Sequence, residues 1–105
     1  MTKEELIEAF EEAEAEDNGL FRFERIEYKR SQRPDIHAIK LLDELVPFDE
    51  AHGNDLICEV GSNRIWFGPS LEELAKLLTK ELVMELHRCS VFVDGCEEKL
   101  AIRIV

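Results

Sequence analysis

The sequence has no long apolar run and little that marks a secreted or membrane-bound chain. No stretch approaches the roughly 18–20 apolar residues that a membrane-spanning helix needs. The first residues, Met-Thr-Lys-Glu-Glu, lack the basic-then-apolar order of a signal peptide. Cysteine is sparse: three residues, an odd number, argue against a disulfide framework. We therefore expect a small, soluble, cytoplasmic protein with reduced thiols.

The sequence also lacks the short motifs that carry common chemistry. It contains no glycine-rich phosphate loop, no nucleophile elbow and no zinc-protease or Cys-x-x-Cys motif. The polar loop 49–55 could hold a metal or an acid–base pair, but it lacks the EF-hand pattern and we interpret it as a solvated loop. We predict a non-enzymatic protein without catalytic residues or a cofactor. A metal-binding protein is the alternative, with ligands of types that zinc accepts but in no standard zinc spacing: Cys58, His87, Cys89 and Cys96.

Basic residues are scarce, with 13 Lys and Arg against 24 Asp and Glu, for a net charge of −11. This balance disfavours direct binding to nucleic acid or anionic lipid and favours a partner with a basic surface. The charge is also uneven along the chain. Residues 1–18 carry one lysine and eight acids, net −7, whereas residues 19–40 carry six basic residues and three acids, net +3. The first segment therefore predicts a strongly acidic element.

Local patterns in the first half of the chain predict two helices with a strand between them. A capping box at Thr2 and Glu5 opens a helix over about residues 3–16, which Asn18-Gly19 ends. Alternating apolar and charged residues over 20–30 predict a strand with a bulge near residues 24–25. Pro34 suits the first turn of the second helix, and Pro47 ends it.

The second half of the chain predicts two hairpins separated by two short helices. The apolar runs 56–60 and 64–67 flank a three-residue loop, and 91–93 and 100–105 form the last hairpin. Ser70 and Glu73 cap a helix over 71–78, and Thr79 caps another over 80–87. We predict one α+β domain over residues 1–105. It has a small antiparallel or mixed sheet of about five strands, with three to four helices packed mainly on one face.

The first helix is a costly local arrangement. Three like-charge pairs, 4–8, 8–12 and 12–16, stand four residues apart, and each costs about 0.2–0.5 kcal/mol in an isolated helix. Three interpretations are open. The acids form a solvated face, or the following basic segment 22–33 neutralises them, or they dock on a basic groove as a nucleic-acid mimic does. Direct nucleic-acid binding by residues 22–33 is disfavoured, because Glu24 and Glu27 interrupt the segment.

Candidate partner contacts follow from this helix and from the single tryptophan. On a strand, Trp66 would face away from Ile65 and Phe67, where it is either covered by a helix or exposed as a contact anchor. An exposed Trp66 or a free sheet edge would also suit a homodimer. The residues that we expect to contact a partner are Glu8, Glu11, Glu12, Glu16 and Trp66.

Five segments between about residue 33 and the C-terminus form a further pattern: 33–38, 41–47, 65–66, 72–75 and 85–89. Together they resemble a group of small uncharacterised proteins of tailed phages and prophages. The group has a glycine after Cys89, where this chain has Ser90. The resemblance implies a phage accessory role, with an anti-CRISPR-like inhibitor as its sharpest form and a homo-oligomeric assembly module as the alternative. It brings no functional residues with it.

Overall fold

The computed structural model of the chain describes residues 1–18, 20–46 and 55–103. These residues form an α+β fold, and none of their helices is long and apolar enough to cross a membrane. The helices are α1 (Lys3–Glu16), α2 (Pro34–Leu45), α3 (Leu71–Leu77) and α4 (Lys80–Arg88), with one short 3-10 turn, Phe23–Arg25. The strands are β1 (Ile57–Val60), β2 (Arg64–Phe67), β3 (Val91–Asp94) and β4 (Lys99–Arg103).

Helix α1 begins and ends where the sequence predicts. The Thr2 hydroxyl accepts a hydrogen bond from the Glu5 N–H at 3.1 Å, and the Glu5 carboxylate accepts one from the Thr2 N–H at 3.0 Å. These reciprocal bonds satisfy amide groups that a helix start otherwise leaves unpaired. After the helix, Asn18 has a φ of 55°, in the left-handed region that ends many helices.

Helices α2, α3 and α4 begin where the sequence predicts, although the capping box expected at Ser70 and Glu73 shows only the bond to the Ser70 hydroxyl. Pro34 occupies the first turn of α2, where its missing N–H costs nothing. The Ser70 hydroxyl accepts from the Glu73 N–H at 3.2 Å, and the Thr79 hydroxyl accepts from the Leu82 N–H at 3.2 Å. The observed ends lie within one residue of the predicted ones.

The strand predicted over residues 20–30 is wrong, and the described sheet has four strands rather than five. The segment contains only the 3-10 turn, because some of its apolar side chains pack on the helical core while others, such as Tyr28, are exposed. Phe23 lies edge-on to His37 with ring centroids 5.9 Å apart, and Ile26 is buried in the core. The Arg30 N–H donates to the His37 ring rather than to a neighbouring strand.

The sheet is antiparallel throughout, in the order β1-β2-β4-β3. Each predicted hairpin is present: a loop over 61–63 joins β1 to β2, and residues 95–98 join β3 to β4. An irregularity between Ile57 and Glu59 shifts the register of β1. The outer edge of β1 leaves Val60 65% exposed.

One face of the sheet packs on the helices, and none of the described helices covers the other face. Phe67, Val91 and Ile102 belong to the face that meets Leu6 and Leu86 of the helices in one buried cluster. Cross-strand partners on the opposite face include Trp66 and Ala101, with Phe92 also paired to Ala101. The prediction of helices packed mainly on one face therefore agrees with the core.

The connection from α4 to β3 is very short. Cys89 caps α4, Ser90 has a φ of 74°, and β3 starts at the next residue. Only glycine adopts such a φ without steric cost. The chain thus has serine in a conformation that favours glycine.

Candidate functional site

Six glutamates of α1 form an exposed surface, which we call the acidic face. Leu6, Ala9, Phe10 and Ala13 point into the core, so the charged side chains occupy the remaining circumference of the helix. All six are classed as exposed, and they extend from the first turn to the last. The acidic face comprises Glu4, Glu8, Glu11, Glu12, Glu14 and Glu16.

Most of the ion pairs that the structure describes lie away from the acidic face. In residues 22–33, Arg25 pairs with Asp17 at 3.2 Å and Arg30 pairs with Glu44 at 2.9 Å. Lys3 bonds to Glu98 at 2.8 Å, which raises the pKa of Lys3. Among ion pairs of the described ranges, the acidic face takes part in one, between the exposed Glu12 and Lys80 at 3.7 Å. Exposed pairs of this kind stabilise a protein little.

Asp17 is the acid that the basic segment does neutralise. It is 1% exposed, and its two oxygens accept from Arg25 at 3.2 Å and Arg88 at 3.3 Å. These bonds tie the end of α1 to the 3-10 turn and to α4. The interpretation that the basic segment neutralises the acids is therefore correct for Asp17, whose carboxylate has a structural role. The charge of the acidic face is left without such compensation.

Trp66 lies on the sheet face away from the helices, rather than under one of them. Its indole N–H donates to Asp94 at 2.8 Å, and the Arg64 guanidinium lies 5.8 Å from its ring centroid. The indole bond lowers the pKa of Asp94, helped by the Glu97 and Cys96 N–H groups and by Arg64. Because α1 packs on the opposite side of the sheet, the structure does not join Trp66 and the acidic face in one surface.

A pocket of about 440 Å³ lies between α1 and β3, and we call it the α1–β3 pocket. Its volume falls within the range of ordinary ligand pockets. Two acidic-face residues, Glu11 and Glu14, line it beside Arg103 of β4. The structure thus places one end of the acidic face beside an apolar cavity, whose other lining residues include Ile7, Phe10, Phe21, His87, Val91, Phe92 and Val93.

His87 is the unusual polar group of this pocket. It is 4% exposed, and its Nε2 has no hydrogen-bond partner in the part of the chain that the structure describes. The Phe21 ring lies 5.3 Å away, centroid to centroid. Sequence reasoning considered His87 only as a zinc ligand. The available signal was its position next to Leu86 and four residues after Val83, on the buried side of α4.

His37 was missed altogether, and it forms a second buried polar site. Its Nδ1 accepts from the Arg30 N–H at 2.9 Å, so its Nε2 carries the proton and donates to Glu85 at 2.8 Å. Arg30 also lies 3.6 Å from Glu85. The imidazole is fully buried. This chain of bonds connects α2, α4 and the segment before α2, which is a structural role.

The described residues give no support to the cysteine–histidine metal alternative. Within residues 1–18, 20–46 and 55–103, no group of three potential ligands lies together. Cys58 and Cys96 are exposed, whereas Cys89 is buried. Burial, with a smaller effect of Glu85, raises the pKa of Cys89 to about 12, so its thiol stays protonated at neutral pH. The loop 49–55, apart from Asp55, lies outside the described residues.

Comparison of the chain with protein-family models, curated proteins and solved structures finds no match. The resemblance to small phage proteins therefore stays a prediction. A proposal for the function rests on the geometry of the described residues.

Proposed function

We propose that the chain is a non-enzymatic binding protein whose acidic face docks on the basic surface of another protein. The observation that carries this proposal is the uncompensated charge of α1. The chain has arginines immediately after the helix, yet Arg25 and Arg30 bind Asp17, Glu44 and Glu85. A face that served only solubility would not require six acids on one helix at a cost in helix stability.

The spacing of these acids fits a partner that binds nucleic acid. Residues 4–16 of a helix span about 18 Å, so six carboxylates give one charge per roughly 3 Å. A strand of duplex DNA carries one phosphate per about 3.4 Å. In its sharpest form, the proposal is an anti-CRISPR-like phage inhibitor whose glutamates occupy the phosphate sites of a host nucleic-acid-binding protein.

The experiment is affinity capture from a bacterial host lysate with two quadruple variants of equal charge. The first reverses predicted contacts: Glu8→Lys, Glu11→Lys, Glu12→Lys and Glu16→Lys. The matched control reverses exposed acids of other elements: Glu27→Lys, Glu73→Lys, Glu81→Lys and Glu97→Lys. We expect the wild type and the control to capture a basic partner and the first variant to lose it. Raising NaCl from about 50 to 500 mM should release the partner, because the contact depends on charge.

Two outcomes would contradict the proposal. One is equal loss of capture by both variants, which would show that only net charge matters. The other is capture that survives high salt and the reversal of α1, which would move the contact to a different surface, such as the helix-free face around Trp66. Circular dichroism of both variants establishes that each is folded before capture is compared.

A further inference from the structure

We propose that the α1–β3 pocket receives a tyrosine side chain flanked by lysine or arginine on the partner, an inference that rests on the proposed docking of the acidic face. Uncompensated acids alone would accept any basic surface. The pocket beside Glu11 and Glu14 adds shape and a buried polar group, and both narrow the chemistry of the occupant.

The walls of the pocket call for an aromatic or aliphatic body. Ile7 and Phe10 come from α1, Val91 and Val93 from β3, and Phe21 from the segment after α1. Phe10 and Val91 are themselves buried in the core, whereas Phe21 is 40% exposed. A flat ring inserted between α1 and β3 would bury apolar area on both elements.

The imidazole of His87 calls for a hydroxyl group at the tip of that body. Its Nε2 is buried and has no hydrogen-bond partner among the described residues, a state that costs free energy in a folded protein. A hydroxyl both donates and accepts, so it satisfies this nitrogen in either tautomer. Phe21 lies against the imidazole and is partly exposed, so an outward turn of its side chain opens the path. Tyrosine combines the ring with the hydroxyl.

The charges at the rim call for cations beside the tyrosine. Glu11 and Glu14 oppose a single guanidinium, that of Arg103, which lies over the Phe92 ring at 5.3 Å. Two carboxylates against one cation leave the rim negative at neutral pH. Lysine or arginine next to the tyrosine would complement that charge, whereas an acidic segment would be repelled.

The test uses two labelled peptides, acetyl-Lys-Lys-Tyr-Lys-Lys-amide and its phenylalanine counterpart, with binding measured by fluorescence anisotropy. We expect the wild type to bind the tyrosine peptide at least about fivefold more tightly, because only the hydroxyl pairs with His87. His87→Phe, which keeps a ring in that position, should bind both peptides equally. Equal binding by the wild type would overturn the proposal, and that comparison needs no variant to fold.

A pair of double variants separates the pocket from general attraction to the acidic face. Glu11→Gln with Glu14→Gln removes the two negative charges at the pocket, whereas Glu8→Gln with Glu12→Gln removes two negative charges that do not line it. At about 150 mM NaCl, we expect the first double variant to bind the tyrosine peptide at least about fivefold more weakly than the wild type does, and the second at most about twofold more weakly. Equal weakening would place the peptide outside the pocket.

Tyramine has a phenol ring and one amine but no peptide chain. It therefore tests whether the pocket binds a small molecule or a segment of a partner protein. We expect it to compete at least about tenfold more weakly than the tyrosine peptide, because it offers one cation instead of several. Competition as strong as the peptide's would overturn the assignment to a partner protein. If the protein distinguishes the two peptides but captures no partner from the lysate, only the proposed function is refuted. If it captures a partner but binds the two peptides equally, only the proposed role of the pocket is refuted.

Discussion

Ser90 has a backbone conformation that is strained for serine and unstrained for glycine. Its φ of 74° lies where a Cβ meets the adjacent backbone. We expect Ser90→Gly to raise the free energy of unfolding by about 0.5–1 kcal/mol, the relief of strain exceeding the added entropy of the unfolded glycine. Urea denaturation measures the change. Ser62→Gly is the matched control, since Ser62 is not among the positive-φ residues, and it should destabilise the protein. If Ser90→Gly lowers the free energy of unfolding, interactions of the serine side chain outweigh the strain in its backbone.

The roles of individual capping residues can be predicted from the sequence, whereas the partners of buried polar residues cannot. Thr2, Ser70 and Thr79 cap helices through neighbours three residues away, so their roles follow from local spacing. Asp17 meets Arg88 across 71 residues, and His37 meets Glu85 across 48. No local rule relates such positions. His87 was considered only as a zinc ligand for the same reason, because the pocket that it lines forms only when α1 and β3 pack together.

At the scale of elements, local signals predicted helices better than isolated strands. The hairpins were correct because each supplies its own partner strand through a short loop. Segment 20–30 had the composition of a strand but no adjacent partner in the sequence. Instead, Phe21 and Phe23 lie against His87 of α4 and His37 of α2, and Ile26 is buried in the core, whereas Tyr28 is exposed. Strand propensity describes a half-buried surface rather than a backbone preference, which explains the error.

Asp94 holds β2 and the β3–β4 turn together, and its charge makes this contact pH-dependent. It accepts from the Trp66 indole at 2.8 Å and from the Cys96 N–H at 3.0 Å. We expect Asp94→Ala to lower the free energy of unfolding by about 1–3 kcal/mol at neutral pH. Glu27→Ala, which removes an exposed carboxylate, is the control and should change little.

The sign of the pH effect follows from the lowered pKa of Asp94 in the folded state, which the indole bond chiefly causes. A carboxyl with a lowered pKa stabilises the fold fully above its unfolded pKa, about 3.9. That contribution is lost as the pH falls through the lower pKa of the folded state. The difference between wild type and Asp94→Ala should therefore be constant above about pH 5 and shrink below about pH 4. Urea denaturation followed by circular dichroism at several pH values measures it, and a difference that grows in acid would contradict it.

The whole molecule combines a net charge of −11 with an acidic face that takes part in a single exposed ion pair among the described residues. Added salt should therefore raise the melting temperature, because it screens repulsion more than it weakens the buried pairs of Asp17. The three like-charge pairs of α1 together cost about 1 kcal/mol, which corresponds to about 4–8 °C in a domain of this size. We expect a rise of that order between about 10 and 500 mM NaCl, measured by thermal denaturation. The quadruple α1 variant breaks only the pair 4–8, because positions 8, 12 and 16 all become lysine and stay like-charged. It nevertheless carries eight fewer net negative charges, so salt has less overall repulsion to screen and its melting temperature should rise less. A melting temperature that falls with salt would mean that the ion pairs stabilise the fold more than the acidic face destabilises it, and would remove the energetic argument for a docking function.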